Sequence, residues 1–296
     1  MKRFLWAIVI GGIAFFVFCG IVEFYQTRVD NNYSYKYWYM ENHRDKVATL
    51  LLGDSYMENS INPNLIGERA FTLASSSRWI YYDDKLLEKY ISDMPNLKQV
   101  ILGMGYKPPY CQSYHFSQSD SNEHEKYMYE KFMHVQYDDN SNHWLGLYRG
   151  YIDHSTLVDD LLCDSLGYER VDGQSAIWQL EHNVDSNVFK QEHAKEQVAE
   201  YTEYLKDIAR LCHLHKVRLI VVTPPCHDSY IVNVRQEGLD ILHGIIENVR
   251  SEYPVEYIDY LQDEDYRADS IYFNCSHLNS IGADMFALRV KKDFGL

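Results

Sequence analysis

The chain has 296 residues, enough for one large domain with a full core or for two small ones. Apolar residues make up 46%, an ordinary globular share that excludes wholesale disorder. With 28 basic and 43 acidic residues the formal net charge is −15, so no counterion-releasing basic surface is implied and a nucleic-acid partner is disfavoured.

Lys2 and Arg3 precede an uncharged apolar run of 19 residues from Phe4 to Val22. That length matches a membrane-spanning helix and exceeds the usual signal-peptide core of about 7–15 residues. No small-x-small cleavage site closes it, because Glu23-Phe24-Tyr25 follows. Residues 1–29 therefore read as an uncleaved N-terminal anchor, with a cleaved signal peptide as the alternative. The basic start places the rest of the chain on the extracytoplasmic (periplasmic) side, although Arg28 and Lys36 make the asymmetry modest. Residues 30–45, polar and aromatic, read as a stalk.

Residues 46–296 carry a βα rhythm. Strands are predicted over 47–52, 70–73, 99–102, 217–222 and 255–258, each a short apolar run. Helices are predicted after Ser55 and over 79–91, 193–215, 232–252 and 280–294. In the third, Val198, Tyr201, Leu205, Ile208 and Leu211 form one stripe. Such alternation predicts a parallel sheet with helices on both faces, a three-layer α/β/α sandwich with a flavodoxin-like order. The rhythm breaks over residues 107–190, which are rich in Tyr, His, Asp, Asn and Ser. They read as an insertion over the active-site edge, partly helical across 144–166.

Composition offers little else that is specific. The 26 tyrosines suit packing first and carbohydrate contact second. Of 6 cysteines, Cys19 lies in the apolar run and the remaining ones show no metal-type spacing, so no metal site is expected and a disulfide stays unassigned. Gly103-Met104-Gly105 lacks the rest of a dinucleotide fingerprint.

Two short blocks carry chemistry. Gly53-Asp54-Ser55 follows the apolar run 48–52, which puts a serine on a tight turn at the carboxyl edge of a sheet. Near the other end, Tyr272-Phe273-Asn274-Cys275-Ser276-His277-Leu278-Asn279 supplies a histidine just before the last helix. A serine hydroxyl needs a base within hydrogen-bond reach, and His277 has the near-neutral pKa for that task. The bland readings are that Ser55 is only a turn residue, that Asp54 bonds its own turn, that His277 is structural, and that Asn279 caps the last helix.

In this order and strand context the two blocks resemble the SGNH (GDSL-like) hydrolase superfamily, in particular its membrane-anchored branch, to which teichoic-acid D-alanylation and alginate O-acetylation proteins belong. The resemblance covers about residues 46–106 and 193–294 and implies the SGNH-type sheet. It implies Ser55 as nucleophile and His277 as base. Asn274 stands where the family's third catalytic residue, an Asp, is expected; it can orient the imidazole but adds no charge. Of the family's oxyanion donors, the N–H of Ser55 is retained. Ser77 stands at the family's Gly and keeps a main-chain donor. Gly105 stands at the family's Asn and loses a side-chain donor, a change that costs roughly 3 kcal/mol of transition-state stabilisation.

The resemblance thus implies a serine-dependent ester hydrolase or O-acyltransferase acting on a cell-envelope glycan, related polymer or small ester. It needs no metal or organic cofactor and sits at the membrane, with a polytopic membrane protein as a possible partner. The alternative is a catalytically inactive module that binds glycan or scaffolds an envelope complex, consistent with the departures at Ser77, Gly105 and Asn274.

Overall fold

Five parallel strands form one sheet in the order β2-β1-β3-β4-β5. They are β1 (Thr49–Leu52), β2 (Ala70–Thr72), β3 (Gln99–Gly103), β4 (Arg218–Thr223) and β5 (Glu256–Asp259). This is the flavodoxin-like order, in which the carboxyl ends of the strands frame a ligand crevice where the winding reverses, here between β1 and β3. The structure is a computed structural model and describes residues 2–26, 28–106, 109, 125–137, 160–175 and 194–296.

The three central strands are buried on both faces, so their sequences are apolar without alternation. Their residues divide between two cores. Leu50, Leu52, Val100, Leu102, Leu219 and Val221 pack with one set of helices. Leu51, Ile101, Ile220 and Val222 pack with another. The first set comprises α5 (Ile80–Tyr90), α6 (Ala194–His215) and α8 (Gln236–Arg250), through residues such as Leu87, Leu205, Ile208 and Ile246. The second comprises α4 (Pro63–Ile66) and α9 (Ser280–Phe294), through Ile66, Phe286 and Val290. Two further short helices, α3 (Ser55–Glu58) and α7 (Asp228–Ile231), follow β1 and β4 at the carboxyl edge.

Helix α1 (Lys2–Gln26) is long and apolar enough to cross a membrane, and its length and composition also fit a signal sequence. At its end Glu23 pairs with Lys131 at 2.8 Å. Residues 30–45, expected as a stalk, are instead largely a helix built into the domain. Helix α2 (Asn32–His43) starts from a capping box at Asn31 and Ser34 and buries Asn32, Tyr33, Lys36 and Met40. The error has a physical reason. Apart from Met40, its apolar contacts come from tyrosines and a lysine stem, which periodicity counted on aliphatic residues does not register.

Besides residue 109, two pieces of the 107–190 insertion are described. Residues 125–137 include a π-helical turn (Tyr129–Met133) whose Tyr129 stacks on Tyr82 with ring centroids 3.9 Å apart. Residues 160–175 form an irregular strap. It starts on α2, where Asn32 Oδ1 accepts the N–H groups of Leu162 and Cys163 at 2.7 and 2.9 Å. It ends beside the histidine block, where Ser175 N donates to Phe273 O at 2.8 Å. Of the partial helix expected over 144–166, residues 160–166 are not helical, and 144–159 lie outside the described residues. The helix expected over 232–252 spans only Gln236–Arg250.

Candidate active site

The turn after β1 admits only glycine at residue 53. Gly53 has φ +128°, and a Cβ there would lie 2.9 Å from Gly103 O. Its N–H donates to Asp83 Oδ1 at 2.9 Å. Asp54 then caps α3, its carboxylate accepting the Tyr56 N–H at 3.0 Å. Ser55 is consequently the first residue of α3, at the carboxyl edge of the sheet and half-buried. Burial raises the pKa of Asp54 to about 7 despite that backbone hydrogen bond.

The histidine lies across the edge from the turn. Tyr272 and Leu278 form an isolated antiparallel bridge, and Phe273 N donates to His277 O at 2.9 Å, closing the loop between them. Within it Asn274 is buried. Its Oδ1 accepts the main-chain N–H groups of Ser276 at 3.0 Å and His277 at 2.8 Å. Two main-chain donors require an acceptor, which fixes the orientation of the amide. The same oxygen lies 2.8 Å from His277 Nδ1, so Nδ1 carries the proton and donates it. The lone pair is then on Nε2, 2.8 Å from Ser55 Oγ, and the serine hydroxyl donates to it.

Burial pushes His277 down to about 4, with no carboxylate among the described residues set against the shift. Asp269, near in sequence, is engaged elsewhere: it lies 3.0 Å from His227 Nε2, whose Nδ1 accepts the Ser229 N–H at 3.1 Å. Asn279 caps α9 by accepting from Ile281 N and Gly282 N at 3.0 and 3.2 Å, and Ser280 is the first helical residue.

Ser77 lies past the end of β2, exposed and with φ +59°. Among the described residues, neither its N–H nor that of Ser55 is engaged by another group. The segment is tied to the serine turn, since Ser75 N donates to Gly53 O at 3.1 Å. Arg78, 2% exposed, bonds Asp83 Oδ1 at 2.8 Å and the Tyr129 hydroxyl. Burial opposes the charge on Arg78, but Tyr129 and Asp83 outweigh it and raise its pKa. Asp83 thus links the two segments through Gly53 and Arg78.

Gly105 is filled from the side. A Cβ there would lie 2.8 Å from the Tyr56 ring. That ring lies over His277 with centroids 5.4 Å apart, and its hydroxyl meets that of Tyr230 at 2.9 Å. An aromatic wall therefore occupies the space beside residue 105.

Sequence reading did not identify Asp83, Arg78, Glu58, Lys36 or Tyr56. One signal was present: Asp83 falls on the apolar stripe of α5 together with Ile80 and Leu87, a carboxylate where a core residue belongs. Among the described residues, no group of three or more His, Cys, Asp or Glu could hold a metal ion. Among the described residues, Cys19, Cys163, Cys212, Cys226 and Cys275 are in no disulfide, and Cys111 lies outside them.

No protein-family profile matches the chain, and no curated protein matches it. Among solved structures, the chain is similar to one described as "a putative platelet activating factor from Streptococcus pneumonia". Identity is 11% and the TM-score is 0.46, over 93% of this chain and 96% of the other.

Proposed function

We propose that the protein is a serine-dependent esterase or O-acyltransferase of the SGNH type, held at a membrane by α1 with its domain on the extracytoplasmic side. The observation that carries this reading is the continuous hydrogen-bonded line Ser55 Oγ, His277 Nε2, His277 Nδ1, Asn274 Oδ1, with 2.8 Å at both ends. It has the donor directions that base catalysis needs.

In this mechanism Ser55 Oγ attacks the acyl carbonyl carbon while its proton passes to Nε2. The carbonyl π electrons move to oxygen, and the N–H groups of Ser55 and Ser77 hold that oxyanion. The imidazolium, still donating from Nδ1 to Asn274, returns the proton to the departing alkoxide. Water or a sugar hydroxyl then attacks the acyl-enzyme by the same route in reverse. The substrate class is an acylated cell-envelope glycan, a related polymer or a small ester.

The 2.8 Å separation of Ser55 and His277 favours this reading over an inactive glycan-binding or scaffolding module, in which packed side chains would separate the pair. The test is turnover of p-nitrophenyl acetate and of acetylated glycans by the full-length chain in detergent. Ser55-dependent release of product supports the proposal, and Ser55-independent release contradicts it.

A further inference from the structure

A second buried ionic pair joins α2 to α3, the short helix that begins with the serine. Lys36 of α2 is 2% exposed and Glu58 of α3 is 4% exposed. Lys36 Nζ donates to Ala74 O and lies 3.5 Å from Glu58 Oε1. Glu58 Oε2 accepts from Ser76 Oγ at 2.7 Å. One turn earlier on α2, the Tyr33 hydroxyl accepts from Ser75 Oγ at 3.0 Å. Glu58 is itself three residues beyond Ser55 on the same short helix.

Burying an ammonium and a carboxylate is expensive, and replacing such a pair by neutral groups is often neutral or stabilising. A fold-stability role alone explains poorly why this pair is buried here. What the pair does locally is specific. Three consecutive residues, Ala74, Ser75 and Ser76, are each held by a side chain from α2 or α3. The next residue is Ser77, which is exposed, has φ +59° and has an N–H with no partner among the described residues.

We infer that Lys36 and Glu58 are positioning residues that aim the Ser77 N–H at the oxyanion, so that the helix following the apolar N-terminal helix completes the catalytic site. This rests on the esterase reading above. An oxyanion donor works only if it is already in place as charge develops, because no reorganisation then accompanies the reaction. With no side-chain donor at Gly105, the burden on the remaining main-chain donors is greater. Helix α2 begins at Asn32, after residues 27–31 link it to the end of α1 at Gln26, so the element that reaches the membrane-anchor candidate also sets the oxyanion donor.

The test uses the full-length chain in detergent. Lys36→Met alone leaves Glu58 buried without its cation, so the informative protein is the double variant Lys36→Met/Glu58→Gln, which removes both charges and keeps an acceptor for Ser76. The readouts are the melting temperature, the second-order rate of fluorophosphonate labelling of Ser55, and kcat and KM on p-nitrophenyl acetate. The expected result is a near-unchanged melting temperature, labelling slower by ~10–100-fold, and a fall in kcat with KM within about 3-fold of wild type. Ser76→Ala and Tyr33→Phe, each losing one tether, should show smaller falls of the same kind.

A folded double variant that labels and turns over at the wild-type rate overturns the inference. If the double variant does not fold, wild-type rates in both single-tether variants overturn it. A folded wild-type protein that does not label at Ser55 contradicts the esterase reading itself, and this inference falls with it.

Discussion

Asn274 Oδ1 lies 2.8 Å from His277 Nδ1 while also accepting the main-chain N–H groups of Ser276 and His277. A neutral amide thereby holds the imidazole in one tautomer, with its lone pair facing Ser55. Orientation, one of the two contributions of a triad's acid, is retained. The other, stabilisation of the imidazolium by a negative charge, is absent.

Those two contributions separate by mutation. Asn274→Ala removes the acceptor and leaves the tautomer free, so kcat should fall by ~10²–10³-fold. Asn274→Asp keeps the acceptor and adds charge, so kcat should rise, by roughly 10-fold, and the acidic limb of the pH profile should move up from about 4. Steady-state kinetics across pH on both variants check this. Equal rates in the wild type and Asn274→Ala would show that Asn274 orients nothing.

Activity should persist in acid. Burial lowers His277 to about 4, so the base is neutral and competent at pH 5–6, where an ordinary histidine would be largely protonated. The acidic limb of kcat/KM should therefore fall near pH 4, not near pH 6.5. The same shift makes stability, like activity, fall with falling pH. The unfolded chain binds a proton at His277 between about 6.5 and 4 that the folded chain does not, so folding is weakened as pH falls through that window.

Asp54 works the other way. Its folded pKa is raised to about 7 against 3.8, so the folded state holds the extra proton between those values. Its contribution is fully present below 3.8 and is lost as pH rises through 7. Asp54→Asn keeps an acceptor for Tyr56 N and cannot ionise. Urea unfolding at pH 5 and pH 8 should show less loss of stability at high pH in the variant than in the wild type. Parallel losses would contradict the shift.

Gly103, at the end of β3, and Gly105, just after it, test the wall beside the serine. A Cβ on Gly103 would stand 2.5 Å from Met57 Cβ, so Gly103→Ala should destabilise the fold by ~1–3 kcal/mol through overpacking. A Cβ on Gly105 would press on the Tyr56 ring, which lies over His277. Gly105→Ala should lower kcat more than it lowers the melting temperature, as thermal melts and kinetics together would show.

Much of the fold was legible because each central strand is buried on both faces. Runs such as 217–222 have no polar alternation to confuse them, and α6 has a long aliphatic stripe. Helix α2 was not legible as part of the domain, because Met40 is the one aliphatic residue on a buried face otherwise made by Asn32, Tyr33 and Lys36. At the candidate site, the glycine turn and the histidine block were visible as local sequence signals. Their 2.8 Å approach required the sheet to bring residues 222 positions apart to one edge. Asp83, Arg78, Lys36 and Glu58 were hidden because buried charges look like surface charges in sequence. Only the packing of α2, α3 and α5 against the serine turn reveals their partners.

The most direct test of the central claim is fluorophosphonate labelling of the full-length chain in detergent, beside a Ser55→Ala control of matched melting temperature. The account predicts covalent labelling that maps to Ser55 and disappears in the control. A folded wild-type protein that takes no label, or takes it equally in Ser55→Ala, would contradict it.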